Sequence, residues 1–212
     1  MMKKYSRKRN KLIKTIKTIK NTKQITPTEH FKLISLANMN SKQLEELSHI
    51  TQDTNIMKYI GKGNIWTMRD LKQYMLDEKK EIRKNILQRQ YYSFILIKDT
   101  TVIGFIAGRK NTKLLPLSEY SPYDLLLRMF ISSKHSGQGY GKLILKLFIE
   151  KYRQILSSYI HKNIIKLVSD IDENNISSIK IHLVNGFQFI KNIKYPNKHI
   201  YKRYEIKLTP IR

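Results

Sequence analysis

Lys134-His135-Ser136-Gly137-Gln138-Gly139-Tyr140-Gly141-Lys142 stands between the apolar run Leu125–Ile131 and the amphipathic run Leu143–Ile160. Glycines thus cluster where a strand gives way to a helix. Without a Cβ the chain turns sharply and a ligand approaches the backbone, while the first helical turn leaves N–H groups without partners. Those donors and the helix dipole favour an anion, phosphate above all. The spacing is neither Gly-x-x-x-x-Gly-Lys-Ser/Thr nor Gly-x-Gly-x-x-Gly, because Lys142 takes the place of the last glycine. Nucleotide folds built on those two patterns are therefore disfavoured.

A second signature lies downstream, in Asn174-Asn175-Ile176-Ser177-Ser178-Ile179-Lys180-Ile181-His182-Leu183-Val184-Asn185-Gly186-Phe187. Asn174 or Asn175 caps a short helix, Gly186 ends it in a left-handed turn, and Phe187 opens the next strand. Together the two segments resemble the GNAT superfamily of acyl-CoA-dependent N-acyltransferases. The first resembles its pyrophosphate loop, Arg/Gln-x-x-Gly-x-Gly/Ala, and the second its Asn-x-x-Ala/Ser helix followed by Gly-Phe. Ser136 departs from the pattern, since a serine cannot reach or pair a phosphate as arginine or glutamine does. The Asn55–Gly63 loop, the long helix after it and the Asn-x-x-Ser form resemble the ribosomal-protein N-terminal acetyltransferase branch.

The resemblance implies an α/β (α+β) fold from about residue 30 to 208: a single GNAT-like domain with a mixed, mostly antiparallel central sheet flanked by helices, its strands 4 and 5 splayed. It also implies acetyl-CoA as co-substrate and direct attack by a primary amine in a ternary complex. On the matching positions, the cofactor would be held by Met129, Phe130 and Ile131 of the strand before the turn, by Ser136, Gly137, Gln138, Gly139, Tyr140, Gly141 and Lys142, and by Asn175 and Ser178. A backbone amide of that strand would stabilise the oxyanion. His182 stands where many members carry a tyrosine that protonates the departing thiolate, and imidazole can take that role. Asp124 and Glu119, at and before the start of the strand, are the candidate general bases, with a solvated loop carboxylate as the alternative reading.

The rest of the chain is consistent with one domain and an extension. It has 212 residues and no cysteine, which removes a thiol nucleophile, a disulfide framework and a thiolate metal site, and suits a reducing, cytoplasmic setting. His30, His49, His135, His161 and His199 show no metal-ligand spacing, so no metal is expected. No run of about 18–20 apolar residues predicts a membrane span. There are 41 Lys and Arg against 16 Asp and Glu, a formal charge of +25. Such a surface attracts polyanions, but the scarcity of alanine beside abundant Ile, Lys and Asn equally fits a biased codon usage.

Part of that charge is concentrated in residues 1–25, where Lys3 to Lys23 hold ten basic side chains and no acidic one. This segment reads as a separate, solvated basic arm, with nucleic acid, ribosome or targeting roles as alternatives. Residues 26–212 form the predicted catalytic domain. Its reading runs strand from Phe31, helix from a Ser41 cap, loop Asn55–Asn64, helix Thr67 to about Leu87, hairpin Tyr91–Ile97 with Val102–Gly108, strand Tyr123–Ser132, glycine turn and helix. Strand Ile164–Val168, helix Ile176–Val184 and a closing hairpin around Tyr195-Pro196-Asn197-Lys198 follow. Two functions from different classes fit: an N-acetyltransferase, or a non-enzymatic basic module binding nucleic acid or ribosomes. For the first, a protein N-terminus, a lysine, an amino sugar and a polyamine are all open as acceptor.

Overall fold

A computed structural model of the chain describes residues 30–60, 63–110, 114–115, 118–157, 164–194 and 200–209. The basic arm, the Tyr195–Lys198 turn and residues 158–160 at the end of the expected helix lie outside them. Seven strands, β1 (Phe31–Ser35), β2 (Tyr91–Lys98), β3 (Thr101–Arg109), β4 (Leu125–Ile131), β5 (Ile165–Asp172), β6 (Gln188–Lys194) and β7 (Ile200–Leu208), form one sheet in the order β1-β2-β3-β4-β5-β7-β6. Every neighbouring pair is antiparallel except β4 and β5, which run parallel. Helices α1 (Ser41–Thr51), α2 (Thr54–Met57) and α3 (Met68–Glu81) precede β2, α4 (Tyr140–Ser157) joins β4 to β5, and α5 (Ile176–Val184) joins β5 to β6.

The central strands β2 and β3 are buried on both faces and read as nearly continuous apolar runs, whereas the edge strand β6 is exposed. On one face lies α4, whose Ile144, Leu145, Phe148, Ile149, Tyr152 and Leu156 follow the helical period and pack on Phe94, Leu96, Leu125 and Leu127. On the other, Leu44, Leu47 and Ile50 of α1 and Leu71 of α3 pack with Ile95, Ile97, Phe105 and Phe130. Truncating Phe148, which is fully buried, would cost about 3–5 kcal/mol.

Several boundaries differ from the sequence expectation: β5 runs on to Asp172 rather than ending at Val168, and the helix after the glycine turn begins at Tyr140 rather than Leu143. Asn40, not Ser41, caps α1, because Asn40 and Gln43 each accept a backbone N–H from the other's residue in a reciprocal capping box. The loop expected at Asn55 begins with the short helix α2, capped by Asp53. Helix α3 stops at Glu81 rather than near Leu87: the Glu81 carboxylate accepts the Gln90 N–H, and Arg89 donates to the Ile82 carbonyl, which draws the chain back toward β2.

Candidate active site

The parallel contact between β4 and β5 is short. Leu125 pairs with Leu167 and Leu126 with Val168, after which the strands part. Asp124 holds the paired end. Its carboxylate accepts the Lys166 N–H at 2.6 Å, the Ser121 N–H at 2.8 Å and the Ser121 hydroxyl at 2.9 Å. Beyond Leu126, β4 stays bound to β3, with Ile106 opposite Met129 and the Ser132 N–H donating to the Ile103 carbonyl. Antiparallel pairing alternates, so the amides of Arg128 and Phe130 face β3 while those of Met129 and Ile131 face the opening.

The glycine turn lies at the far end of β4. Gly137 and Gly139 have φ of 74° and 87°, a left-handed backbone that a side chain would strain. The N–H groups of Gly137, Gln138, Gly139, Tyr140 and Gly141 have no backbone acceptor among the described residues. They lie at the start of an 18-residue helix, whose dipole adds to their pull on an anion. Lys142 is exposed beside them. Gly141 serves packing instead, since a Cβ there would come within 2.6 Å of the Ile181 Cδ1, and Asn185 Nδ2 bridges to the Lys142 carbonyl at 3.4 Å.

Several predicted residues take other places. Tyr140 turns inward: it is 3% exposed, packs on Phe31, and its hydroxyl receives a 2.9 Å hydrogen bond from Lys98 Nζ, so only its N–H faces the turn. The Phe130 side chain lies stacked on Phe105 in the other core. Asn175 Oδ1 caps α5 by accepting the Ser178 N–H at 3.1 Å. Ser136 is exposed, and its N–H is taken by the Ser133 carbonyl.

The three residues expected to move protons are not brought together. His182 is buried, not on an exposed helix face: its Nδ1 lies 2.8 Å from the Ser178 carbonyl and its Nε2 2.9 Å from the Ser169 hydroxyl. A carbonyl only accepts, so Nδ1 carries the proton and Nε2 accepts from Ser169. Burial pulls its pKa down to about 4. This setting favours the neutral ring. Asp124 is committed to the backbone at the closed end of the β4–β5 pair. Glu119 is exposed and ion-paired to Lys191 at 2.8 Å, and that hydrogen bond holds its pKa below the ordinary range, which makes it a weak base.

What the sequence reading missed is a pocket on the opposite face of β2, β3 and β4, a cavity of about 180 Å³ lined by Trp66, Tyr74 and Asp77 above and by Ser93, Ala107 and Arg128 among the residues below. Ser93, Ala107 and Arg128 form one cross-strand row. Arg128 immediately precedes Met129, so the pocket reaches the side of β4 where the sheet opens. The one available signal was an arginine inside an otherwise apolar strand, Leu125–Ile131.

Residues 34–188 match the family profile of the acetyltransferase (GNAT) domain, and the chain belongs to that family. The match is to the domain as a whole and specifies no branch within it. No curated protein sequence matches the chain. Among solved structures, an aminoglycoside acetyltransferase AAC(6')-Ib in complex with coenzyme A superposes with a TM-score of 0.61 at 14% identity, covering 84% of this chain and 94% of that one. A spermidine N-acetyltransferase chimera from Vibrio cholerae and hSSAT gives 0.58 at 13% identity, over 83% of this chain and 94% of that one. The acetyltransferase yncA from Salmonella typhimurium, with acetyl-CoA, gives 0.56 at 16% identity, over 84% and 93%. These likenesses are of fold.

The residues present fit acetyl-CoA as co-substrate. The unpartnered amides at Gly137–Gly141 suit a pyrophosphate, and the Met129 and Ile131 amides, facing the gap beside β5, suit an extended amide-bearing arm. Among the described residues no cluster of three or more His, Cys, Asp or Glu is arranged to hold a metal ion, and no helix is long and apolar enough to cross a membrane.

Proposed function

We propose that the domain transfers an acetyl group from acetyl-CoA to a primary amine bound in the Trp66–Arg128 pocket. One observation carries this reading: the β4–β5 opening has a row of free amides at the glycine turn at one end and a partly aromatic pocket, open to solvent on one side, on the other face. Acetyl-CoA supplies the acetyl group as a thioester. Gly137, Gln138, Gly139 and Tyr140 hold the pyrophosphate through their N–H groups, with Lys142 alongside. Met129 and Ile131 orient the arm and set a fixed donor toward the acyl oxygen, where electrostatic stabilisation contributes most. Trp66, Tyr74 and Phe105 exclude water from the acceptor.

Residues 26–212 constitute the catalytic domain in this reading, and residues 1–25 a basic arm. The lack of cysteine supports a reducing compartment such as the cytoplasm. The structural relatives include an aminoglycoside acetyltransferase and a spermidine N-acetyltransferase, whose acceptors are polycationic amines, as is the polyamine among the acceptors open from sequence.

The test is acetyl-CoA binding by calorimetry, against ATP at low and moderate salt, because a chain of net charge +25 attracts any polyanion. Stoichiometric binding that persists in salt and is lost in Gly139→Glu is the expected result. Binding no tighter than ATP, collapsing with salt, would return the protein to the class of basic interaction modules.

A further inference from the structure

The floor of the pocket has an unusual charge. Arg109 pairs with Leu126 across β3 and β4, and Arg128 lies two residues further along β4, so the two arginines are diagonal neighbours on the same face. Both line the cavity. Diagonal positions of this kind put Cβ atoms within about 7–8 Å, close enough for two guanidinium groups to repel. Neither arginine has an ion-pair or hydrogen-bond partner among the described residues.

The carboxylates nearby each have a partner other than these arginines, although one Glu78 oxygen has none. Asp77, in the wall, accepts from Gln73 Nε2 at 3.0 Å and lies 3.5 Å from Lys80 Nζ. Glu78 accepts the Ser93 N–H at 3.1 Å, and Glu81 takes the Gln90 N–H and Lys84. Asp170, two residues past the last β4-paired residue of β5, is held by Arg203 through both oxygens at 2.7 Å. Two guanidiniums beside a cavity walled by Trp66, Tyr74, Tyr91 and Phe105 are a poor host for a polycation. They are a good host for an oxyanion, to which arginine donates in pairs.

We infer that the acceptor of this pocket is an amine that also carries an oxyanion, a carboxylate or a phosphate, bound by Arg109 and Arg128. This rests on the acetyltransferase reading for the amine and on the pocket alone for the oxyanion. It separates this chain from aminoglycoside- or polyamine-like acceptors, whose extra charges would meet the two arginines directly.

Trp66 is the sole tryptophan of the chain and lines the pocket, so its fluorescence reports occupancy without any turnover. The full chain is titrated with phenylalanine against phenylalaninamide, and with phosphoethanolamine against ethanolamine, at low salt and at 0.3 M salt, the latter shortening screening to a few ångströms. Spermidine is the polycation control. At least one oxyanion-bearing amine should bind roughly ten- to a hundredfold more tightly than its matched form lacking the oxyanion, in high salt as well. The first pair identifies a carboxylate site and the second a phosphate site. Arg128→Gln and Arg109→Gln should each erase most of that preference, and Arg128→Lys should retain part of it.

Equal or tighter binding of the partners lacking the oxyanion, or of spermidine, overturns the inference. So does an anion preference that persists in both glutamine variants, or no saturable signal with any probe. Acetyl-CoA binding, measured separately on the same samples, keeps the two readings apart. Its failure beside intact oxyanion discrimination removes the transferase assignment and leaves the pocket's selectivity standing.

Discussion

The Ser169 hydroxyl and the His182 Nε2 lie 2.9 Å apart, joining β5 to α5 beneath the edge of Phe187. The Ser178 carbonyl accepts from Nδ1–H and so fixes the tautomer of the ring. Its pKa of about 4 lies below the ordinary value of 6.5, because burial penalises the cation. Above pH 6.5 neither folded nor unfolded chain protonates this site, and its stabilisation is complete. As pH falls from 6.5 toward 4, the unfolded chain takes a proton that the folded chain refuses, and about 3 kcal/mol is lost.

Replacing His182 with glutamine should therefore take this site's contribution out of the pH profile, tilting the variant toward higher relative stability in acid, while lowering stability at pH 7.5 by about 1–3 kcal/mol, the cost of disturbing two buried hydrogen bonds. Urea midpoints at pH 4.5, 5.5, 6.5 and 7.5 read both effects. Acetyl transfer per folded molecule should stay within about tenfold of the parent. A general acid would instead cost about 10²- to 10⁴-fold in kcat with little change in stability, and that pattern would restore the catalytic role.

Glu78 has the opposite sign. It is 3% exposed, one of its oxygens has no partner, and burial raises its pKa from an ordinary 4.5 to about 7. Below pH 4.5 both states hold the proton. Between 4.5 and 7 the unfolded chain ionises and the folded chain does not, so stability falls as pH rises, again by about 3 kcal/mol. Over about pH 4.5–6.5 this slope cancels that of His182. In Glu78→Gln the cancellation ends, and stability should climb with pH through that window; a profile as flat as the parent's would show that Glu78 ionises normally in the fold.

The local signatures were legible because their physics is local. A glycine at positive φ, an asparagine cap and a Gly-Phe helix exit each need only a few consecutive residues, and they fixed α4, α5 and the turn between β4 and α4. The inward side chain of Tyr140 had its signal in the sequence: Tyr140, Ile144 and Phe148 share a helical phase, so the ring follows the other two into the core. The pocket was not legible. Ser93, Ala107 and Arg128 come from three strands and meet Trp66 and Asp77 only through strand register and the docking of α3. His182 likewise has a partner thirteen residues away on another element, and nothing in the spacing announces Ser169.

Two glycines of the turn should separate binding from packing. Gly139 has open space around its missing Cβ, so Gly139→Ala is penalised only by φ, about 1 kcal/mol, and by the reorientation of the amides. Its acetyl-CoA affinity should drop about tenfold with a small change in Tm. Gly141→Ala drives a methyl against Ile181 and should cost about 1–3 kcal/mol of stability as α5 is pushed aside. If both variants lose affinity and stability in equal proportion, the turn is a structural unit and not an anion site.

Tyr140→Phe removes the hydroxyl that Lys98 reaches but leaves the ring in the core and the backbone amide at the turn. A stability loss of about 1 kcal/mol with unchanged acetyl-CoA affinity is expected. Lys142→Ala, at an exposed position, should do the reverse: little change in Tm and a weaker, less salt-dependent affinity. Calorimetry at two salt concentrations distinguishes them, and a Tyr140→Phe defect in binding alone would place that side chain at the cofactor.

Arg203 and Asp170 brace the β5 side of the opening. Their side chains are 3% and 5% exposed, joined through two 2.7 Å bonds, and Arg203 also reaches Tyr120 at 3.1 Å and the Leu114 carbonyl at 3.1 Å. Asp170 and Arg203 stand opposite each other in the β5–β7 ladder, and the ion pair reinforces that ladder where β4 no longer pairs with β5. Asp170→Asn leaves a buried guanidinium without its counter-charge and should cost about 3–5 kcal/mol. Adding Arg203→Met to it should recover much of that loss, a non-additivity that marks a coupled pair. If the double variant is as unstable as the sum of the single ones, the two residues act independently and the wall of the opening is held by the β5–β7 pairing alone.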